Sequence, residues 1–214
     1  MPKVTEAYKQ EKREMIVKAA WKILEQKPLY EMNMLDVVKQ AGLSKGGIYL
    51  YFSDIDELLI ETINTILASF RELTFSVNSQ EEDVETGLIS IFRQLGDYME
   101  ACPPIIGKIR FELAVYMTNH PKKMETILPR IRLQQTGAEF MSLVSEFIQK
   151  GVEQNMFRKN LETDVIITNI MVYVDGMTDF VTKMKTYNGP KLKFSVSTYF
   201  EQFIRSQMKE WKYE

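Results

Sequence analysis

Between Asn33 and Phe52 the sequence leaves the backbone few choices. Asn33 is suited to cap a helix, and Val37, Val38 and Ala41 recur behind it at helical spacing from Met34 to Ala41. Asp36 stands in the first turn, where the positive end of the helix dipole favours an acid. Gly42 then supplies the left-handed conformation that stops a helix, and Ser44 caps the next one, Lys45 to Phe52. Two short helices joined through Ala41-Gly42-Leu43-Ser44 pack as a helix-turn-helix, in which the second crosses the first and projects from the surface.

The same 3–4 spacing runs through most of the chain. A first helix is expected from about Tyr8 to Gln26, with Ile16, Ala19, Ala20, Ile23 and Leu24 as its stripe and Pro28 as its stop. A fourth follows Ser53 or Asp54 and is expected to reach about Phe75. Further helices are expected from Val84 to Met99, from Pro103-Pro104 to His120-Pro121, through Phe140 and Phe147 to Glu153, and near 164–185 and 193–211. No strand-like alternation of useful length and no repeat interrupts them. With ten glycines and seven prolines in 214 residues, the chain reads as all-α. It divides into a small N-terminal domain, residues 1–53, and a larger helical domain, residues 54–214.

Charge separates the same two regions. Residues 1–52 carry nine Lys/Arg against six Asp/Glu, a net of +3. Residues 53–214 carry eighteen against twenty-three, a net of −5. A basic end on an acidic body suits docking on a polyanion through that end. Catalysis finds little to work with. The single histidine, His120, sits before Pro121 in an expected loop, Glu81-Glu82-Asp83 reads as a solvated run, and no phosphate-cradling glycine loop occurs. One cysteine, Cys102, leaves no internal disulfide or multi-cysteine metal site. No enzyme, metal or cofactor is expected. Residues 1–13 are polar, unlike a signal peptide, and polar residues between Val165 and Val181 argue against a membrane span. The expected location is the cytoplasm.

The second helix of the motif is unusual for a purely structural element. Lys45, Gly46 and Gly47 make its first turn small and cationic, and two adjacent glycines cost roughly 1 kcal/mol each against alanine. Close backbone approach to a phosphate or base edge is one reason for them. Ile48 and Phe52, four apart, should face the core and leave Tyr49 and Tyr51 partly outward. The run from Asn33 through Phe52, continued by Asp56-Glu57-Leu58-Leu59, resembles the signature of the TetR/AcrR family of bacterial regulators over about residues 10–70. The resemblance implies a homodimer on double-stranded DNA, with repression relieved by a small-molecule effector. It places Ser44, Lys45, Gly46, Gly47, Tyr49 and Tyr51 at DNA, with Asn33 as the cap. Ile55 stands where such proteins usually carry a lysine. The missing phosphate contact is expected to shift to Lys3, Lys9, Lys12 and Arg13. Leu35 occupies a position where a polar base-reading side chain is often found.

In the body, the segment from Val165 to Met184 is apolar on most sides and needs cover. A four-helix dimer interface with the last helix would supply it, with Val174, Gly176, Met177, Phe180, Phe200 and Phe203 as candidates. Phe92, Met99, Phe111, Met117, Phe140, Phe147 and Met171 could line a pocket for an apolar effector, with Asp175 as an acid within it. Two other readings fit the residues. The C-terminal domain could respond to a protein partner or only scaffold the dimer, or the chain could be a helical interaction module that never touches DNA.

Overall fold

A computed structural model describes residues 5–70, 72–132 and 136–212. Among them run ten α-helices: α1 (Glu6–Gln26), α2 (Met34–Ala41), α3 (Lys45–Tyr49), α4 (Ile55–Ala68), α5 (Val84–Ala101), α6 (Pro104–Asn119), α7 (Pro121–Ile127), α8 (Thr136–Glu153), α9 (Thr163–Thr186) and α10 (Val196–Trp211). Their starts are set by local chemistry. Thr5, Asn33, Ser44, Asp54, Asp83 and Ser195 each accept a backbone N–H with the side chain.

Four boundaries differ from the sequence expectation. α4 stops at Ala68, because Ser69 turns both its N–H and its hydroxyl onto the Ile66 carbonyl. Beyond it Leu73, Phe75 and Val77 are half-buried while residues 72, 74, 76 and 78 are exposed. That is the period of extended backbone, and Phe70–Leu73 only imitates a helical step. α3 ends at Tyr49, with Leu50 to Phe52 turning back onto the Gly46 and Ile48 carbonyls. His120-Pro121 both ends α6 and opens α7, because proline fits a first helical turn. α10 begins at Val196 rather than Lys193, where Ser195 caps it. A further correction concerns α9. Its 24 residues include an 18-residue window of mean hydropathy 1.3, so by length and composition it could cross a membrane. Within it Ile166, Ile170 and Val181 pack into the core of the second unit.

The chain packs as two compact units, residues 1–70 with 108–133, and residues 71–107 with 134–214. The division by packing therefore falls elsewhere than the motif boundary at residue 53, since α4 and most of α6 lie with the head. In the first unit α1 packs on α2 and α4, around Ile16, Ala20, Leu24, Val37, Ile48, Phe52, Leu58 and Ile63. A buried ion pair on α6, Lys108 with Glu112, is completed by backbone. Lys108 Nζ donates to the Lys27 carbonyl at 2.8 Å, and Glu112 accepts the Leu29 N–H at 2.8 Å. The corner between α1 and α2 is thereby fixed to α6, and neither charge is left unsatisfied.

In the second unit α5 is central, packed along α10 and α8. Two lysines hold its ends. Lys150 donates to the Ser79 and Glu82 carbonyls before it, and Lys185 to those of Met99, Glu100 and Cys102 at its end. Burial holds the Lys185 ammonium below the usual lysine value. Glycine lets the helices approach. A Cβ at Gly87 would overlap the Phe147 ring, and one at Gly96 would lie 2.5 Å from the Ser197 Cα. Gly96→Ala therefore drives α10 backbone off α5 and should cost about 1–3 kcal/mol in urea denaturation. Gly137→Ala, where a Cβ meets nothing within 4 Å, should leave stability unchanged or slightly raised.

Candidate nucleic-acid interface

The turn between α2 and α3 is built as its residues dictate. Asn33 Oδ1 accepts from the N–H of Leu35 at 3.0 Å and of Asp36 at 3.2 Å. Gly42 takes φ +64°, which a residue with a Cβ adopts only under strain. Ser44 Oγ accepts from the Gly47 N–H at 3.1 Å. α3 is then held from below, since Ile48, Phe52 and, on α2, Val37 are fully buried. Its other side is open. Ser44, Lys45, Gly46, Tyr49 and Leu50 are exposed, and Gly47 and Tyr51 half-buried. A Cβ at Gly46 would meet nothing within 4 Å, so no packing among the described residues requires glycine there. At Gly47 a Cβ would press on the capping Ser44 Oγ at 3.2 Å.

The cations divide into free and committed. Lys45 Nζ lies over the Tyr49 ring at 5.8 Å, and Lys12 Nζ over the Tyr8 ring at 5.4 Å; among the described residues neither is in an ion pair. Lys9 is exposed and paired with Glu6 at 2.8 Å, which raises its pKa. Lys3 lies outside the described residues. Arg13 is the departure from expectation. Its guanidinium bonds Glu61 and the Tyr51 carbonyl, reaches Glu57 at 3.5 Å, and stacks on the Phe52 ring at 4.2 Å. With its donors so engaged, Arg13 does not stand free for a phosphate; it holds the end of α3 to α1 and α4. Sequence reasoning missed this cluster, although Glu57 and Glu61, one helical turn apart on α4, were a visible acidic stripe in need of a cation. It also missed two further links on α4. Lys123 pairs with Asp56 at 2.7 Å, and Asn64 holds the backbone of Arg130 and Arg132 at 3.0 and 2.7 Å.

The expected pocket residues are divided between the two units. Phe92, Phe140 and Phe147 are buried core of the second unit, with Phe92 edge-on to Phe140 at 5.2 Å and Met99 packed against the cluster. Phe111 and Met117 belong to the first unit, half-buried and exposed respectively. Met171 and Asp175 lie on α9, Met171 half exposed to solvent and Asp175 outside the core cluster. The expected interface residues also separate. Phe200 is fully buried within its own chain, between Phe92 and Tyr173, and Phe203 stacks on the Tyr173 ring at 3.8 Å. Val174, Met177 and Phe180 are half-buried. Gly176 is exposed, and α9 leaves Val165, Met171 and Val172 to solvent, the last 66% exposed.

Residues 16–62 match the family model described as bacterial regulatory proteins, tetR family. The chain is 28% identical over 158 residues, 73% of each protein, to the uncharacterized HTH-type transcriptional regulator YfiR of Bacillus subtilis strain 168. Its fold is similar to that of MexZ, described as a key repressor responsible for antibiotic resistance in Pseudomonas aeruginosa, with a TM-score of 0.61 at 14% identity over 96% of both chains. It is also similar to the fatty acid degradation regulator FadR of Bacillus halodurans, with a TM-score of 0.53 at 19% identity over 92% of this chain and 94% of that one.

The Arg13 cluster gives the head a pH signature. The Ser53 N–H is the largest influence holding the Glu57 carboxyl below its usual 4.5, with the Ser53 hydroxyl and Arg13 adding to it. A carboxyl depressed in the folded state stabilises above its unfolded value, and that contribution disappears as pH falls through the folded value. Glu57→Gln should therefore lower stability by about 1 kcal/mol at neutral pH. In denaturant titrations the gap to the parent chain should close below pH 4.5.

Proposed function

From the premise that this chain belongs to the TetR family and is a helix-turn-helix DNA-binding transcriptional regulator rather than an enzyme, we propose that it is a homodimeric repressor. A small, largely apolar effector releases it from operator DNA in the cytoplasm. The observation that carries the dimer is the outer face of α9, where Val165, Met171 and Val172 stand in water beside Gly176. A second copy laid against it would bury that face and fix the span between two recognition helices near one DNA turn, ~34–36 Å.

At the DNA, the exposed side of α3 presents Ser44, Lys45, Gly46 and Tyr49, with Gly47 and Tyr51 at its edge, Asn33 below and Lys12 alongside. Arg13 acts indirectly, by holding α3. Release runs through α4. Asp56 and Asn64 tie it to residues 123–132, while Arg13 ties it to the end of α3. A shift of the 123–132 segment therefore moves α4 and, with it, the recognition helix. A coupling of ~1–3 kcal/mol changes operator occupancy roughly five- to 150-fold.

One observation favours a second reading of the body. Phe92, Phe140 and Phe147 form filled core, which suits a domain that answers to a protein partner or only holds the dimer. Titration of a fatty acid into the operator complex separates the two: release supports the effector, and indifference to a panel of apolar molecules favours the partner.

Two outcomes test the DNA and dimer assignments. Lys45→Ala combined with Tyr49→Phe should weaken binding to the gene's own upstream region at least tenfold in gel shifts and flatten the salt dependence by about one counterion. Val172→Lys places like charges across the proposed interface and should convert the dimer to monomer in sedimentation equilibrium at micromolar concentration, with helix content unchanged.

A further inference from the structure

We propose that the head identifies thymine by its 5-methyl group, through the exposed side chains of Leu50 and Leu35. The inference rests on the DNA-binding reading above and assigns what that surface reads.

Leu50 is 82% exposed, the most exposed large apolar residue among those described, and Leu35 is 61% exposed. Neither position is an accident of a loose loop. Leu50 is the C-terminal cap of α3 with helical angles, φ −68° and ψ −22°, and its N–H is bound to the Gly46 carbonyl at 3.3 Å. Its neighbours two residues either side, Ile48 and Phe52, are fully buried, so the backbone aims Leu50 away from the core. Leu35 sits in the first turn of α2, its N–H held by the Asn33 side chain, with Val37 two residues on fully buried. Both leucines are thus presented outward on rigid backbone, flanking the open side of α3.

A leucine in water gains nothing for the fold, and burying one is worth enough to bias a binding equilibrium. The surroundings indicate what does the burying. Ser44, Lys45 and Gly46 are exposed on the same short helix, and Lys39 and Gln40 on α2. The other exposed large apolar residues described in this region, Tyr8, Tyr30 and Tyr49, each carry a phenol hydroxyl, and the region has a net charge of +3, which suits an anionic partner better than an apolar docking patch. A major groove fits this pattern, because its edge is anionic and its floor carries one apolar substituent, the thymine methyl. Leucine has no donor or acceptor, so at its position a base can be read only by that methyl. Cytosine lacks it; 5-methylcytosine carries it.

The operator sequence is itself obtained in the first step of the test. The full chain selects bound sequences from a random 30-base-pair duplex pool, and the resulting consensus is remade with deoxyuridine replacing thymidine at one position at a time. Each half-site should contain a thymine whose methyl contributes about fourfold to affinity. Leu50→Ala should abolish the sensitivity at one such position and Leu35→Ala at another, each leaving the other position responsive. Replacing the sensitive T·A pair by 5-methylcytosine·G should bind more tightly than replacing it by C·G. If a consensus emerges but no position responds to loss of the methyl, the leucines read nothing and this proposal fails while DNA binding stands. If no duplex is selected, both fail. The deoxyuridine arm uses the unaltered chain, so a poorly folded variant cannot mask the result.

Discussion

The Arg13 guanidinium brings three separate stretches of chain together at one point. It joins α1 to two carboxylates of α4 and to the backbone carbonyl of Tyr51, while its flat face covers the Phe52 ring. α3 is only five residues long, too short to persist as a helix by its own hydrogen bonds. Its position depends on Ile48 and Phe52 below and on this cation at its end. A planar, permanently charged fork can satisfy several acceptors at once, which a lysine ammonium could not do in the same geometry.

The same cluster therefore ties the end of α3 to α4. α4 in turn is held to residues 123–132 by Lys123 and by the Asn64 carboxamide, which both donates to and accepts from the 130–132 backbone. Polar links of this kind have direction and length, unlike apolar contacts, and so fix the helix at defined points. The Lys108–Glu112 pair adds a third fixed point at the corner between α1 and α2. Together these links hold the helices of the first unit to one another at fixed points.

The second unit solves a different problem. Its core is aromatic, and rings cannot be brought together with helix backbones at ordinary separation unless some positions are empty. Gly87 and Gly96 provide those positions on α5, for the Phe147 ring and for the start of α10. The lysines at its two ends supply the donors that the last carbonyls of α5 and the preceding loop would otherwise lack. The outer side of α9 remains apolar and unpacked within one chain.

Helix content, the caps at Asn33 and Ser44, the left-handed Gly42 and the inward pair Ile48 and Phe52 were all written in residues a few positions apart. Helix starts and stops are local hydrogen-bond problems, so the sequence alone settled them, along with the helix-turn-helix and the family it resembles. Where it misjudged, two local periods competed, as at Leu73 to Val77, or one proline could end a helix and begin another. Only the tertiary structure decided which charges are free. Lys45 and Arg13 look alike on paper, yet Arg13 meets acids 44 and 48 residues away and is withdrawn from the surface, while Lys45 is not. It likewise turned Phe92, Phe140 and Phe147 into core and left Met171 and Asp175 outside. A side chain's partner is chosen by the packing of distant segments, and no spacing along the chain records that choice.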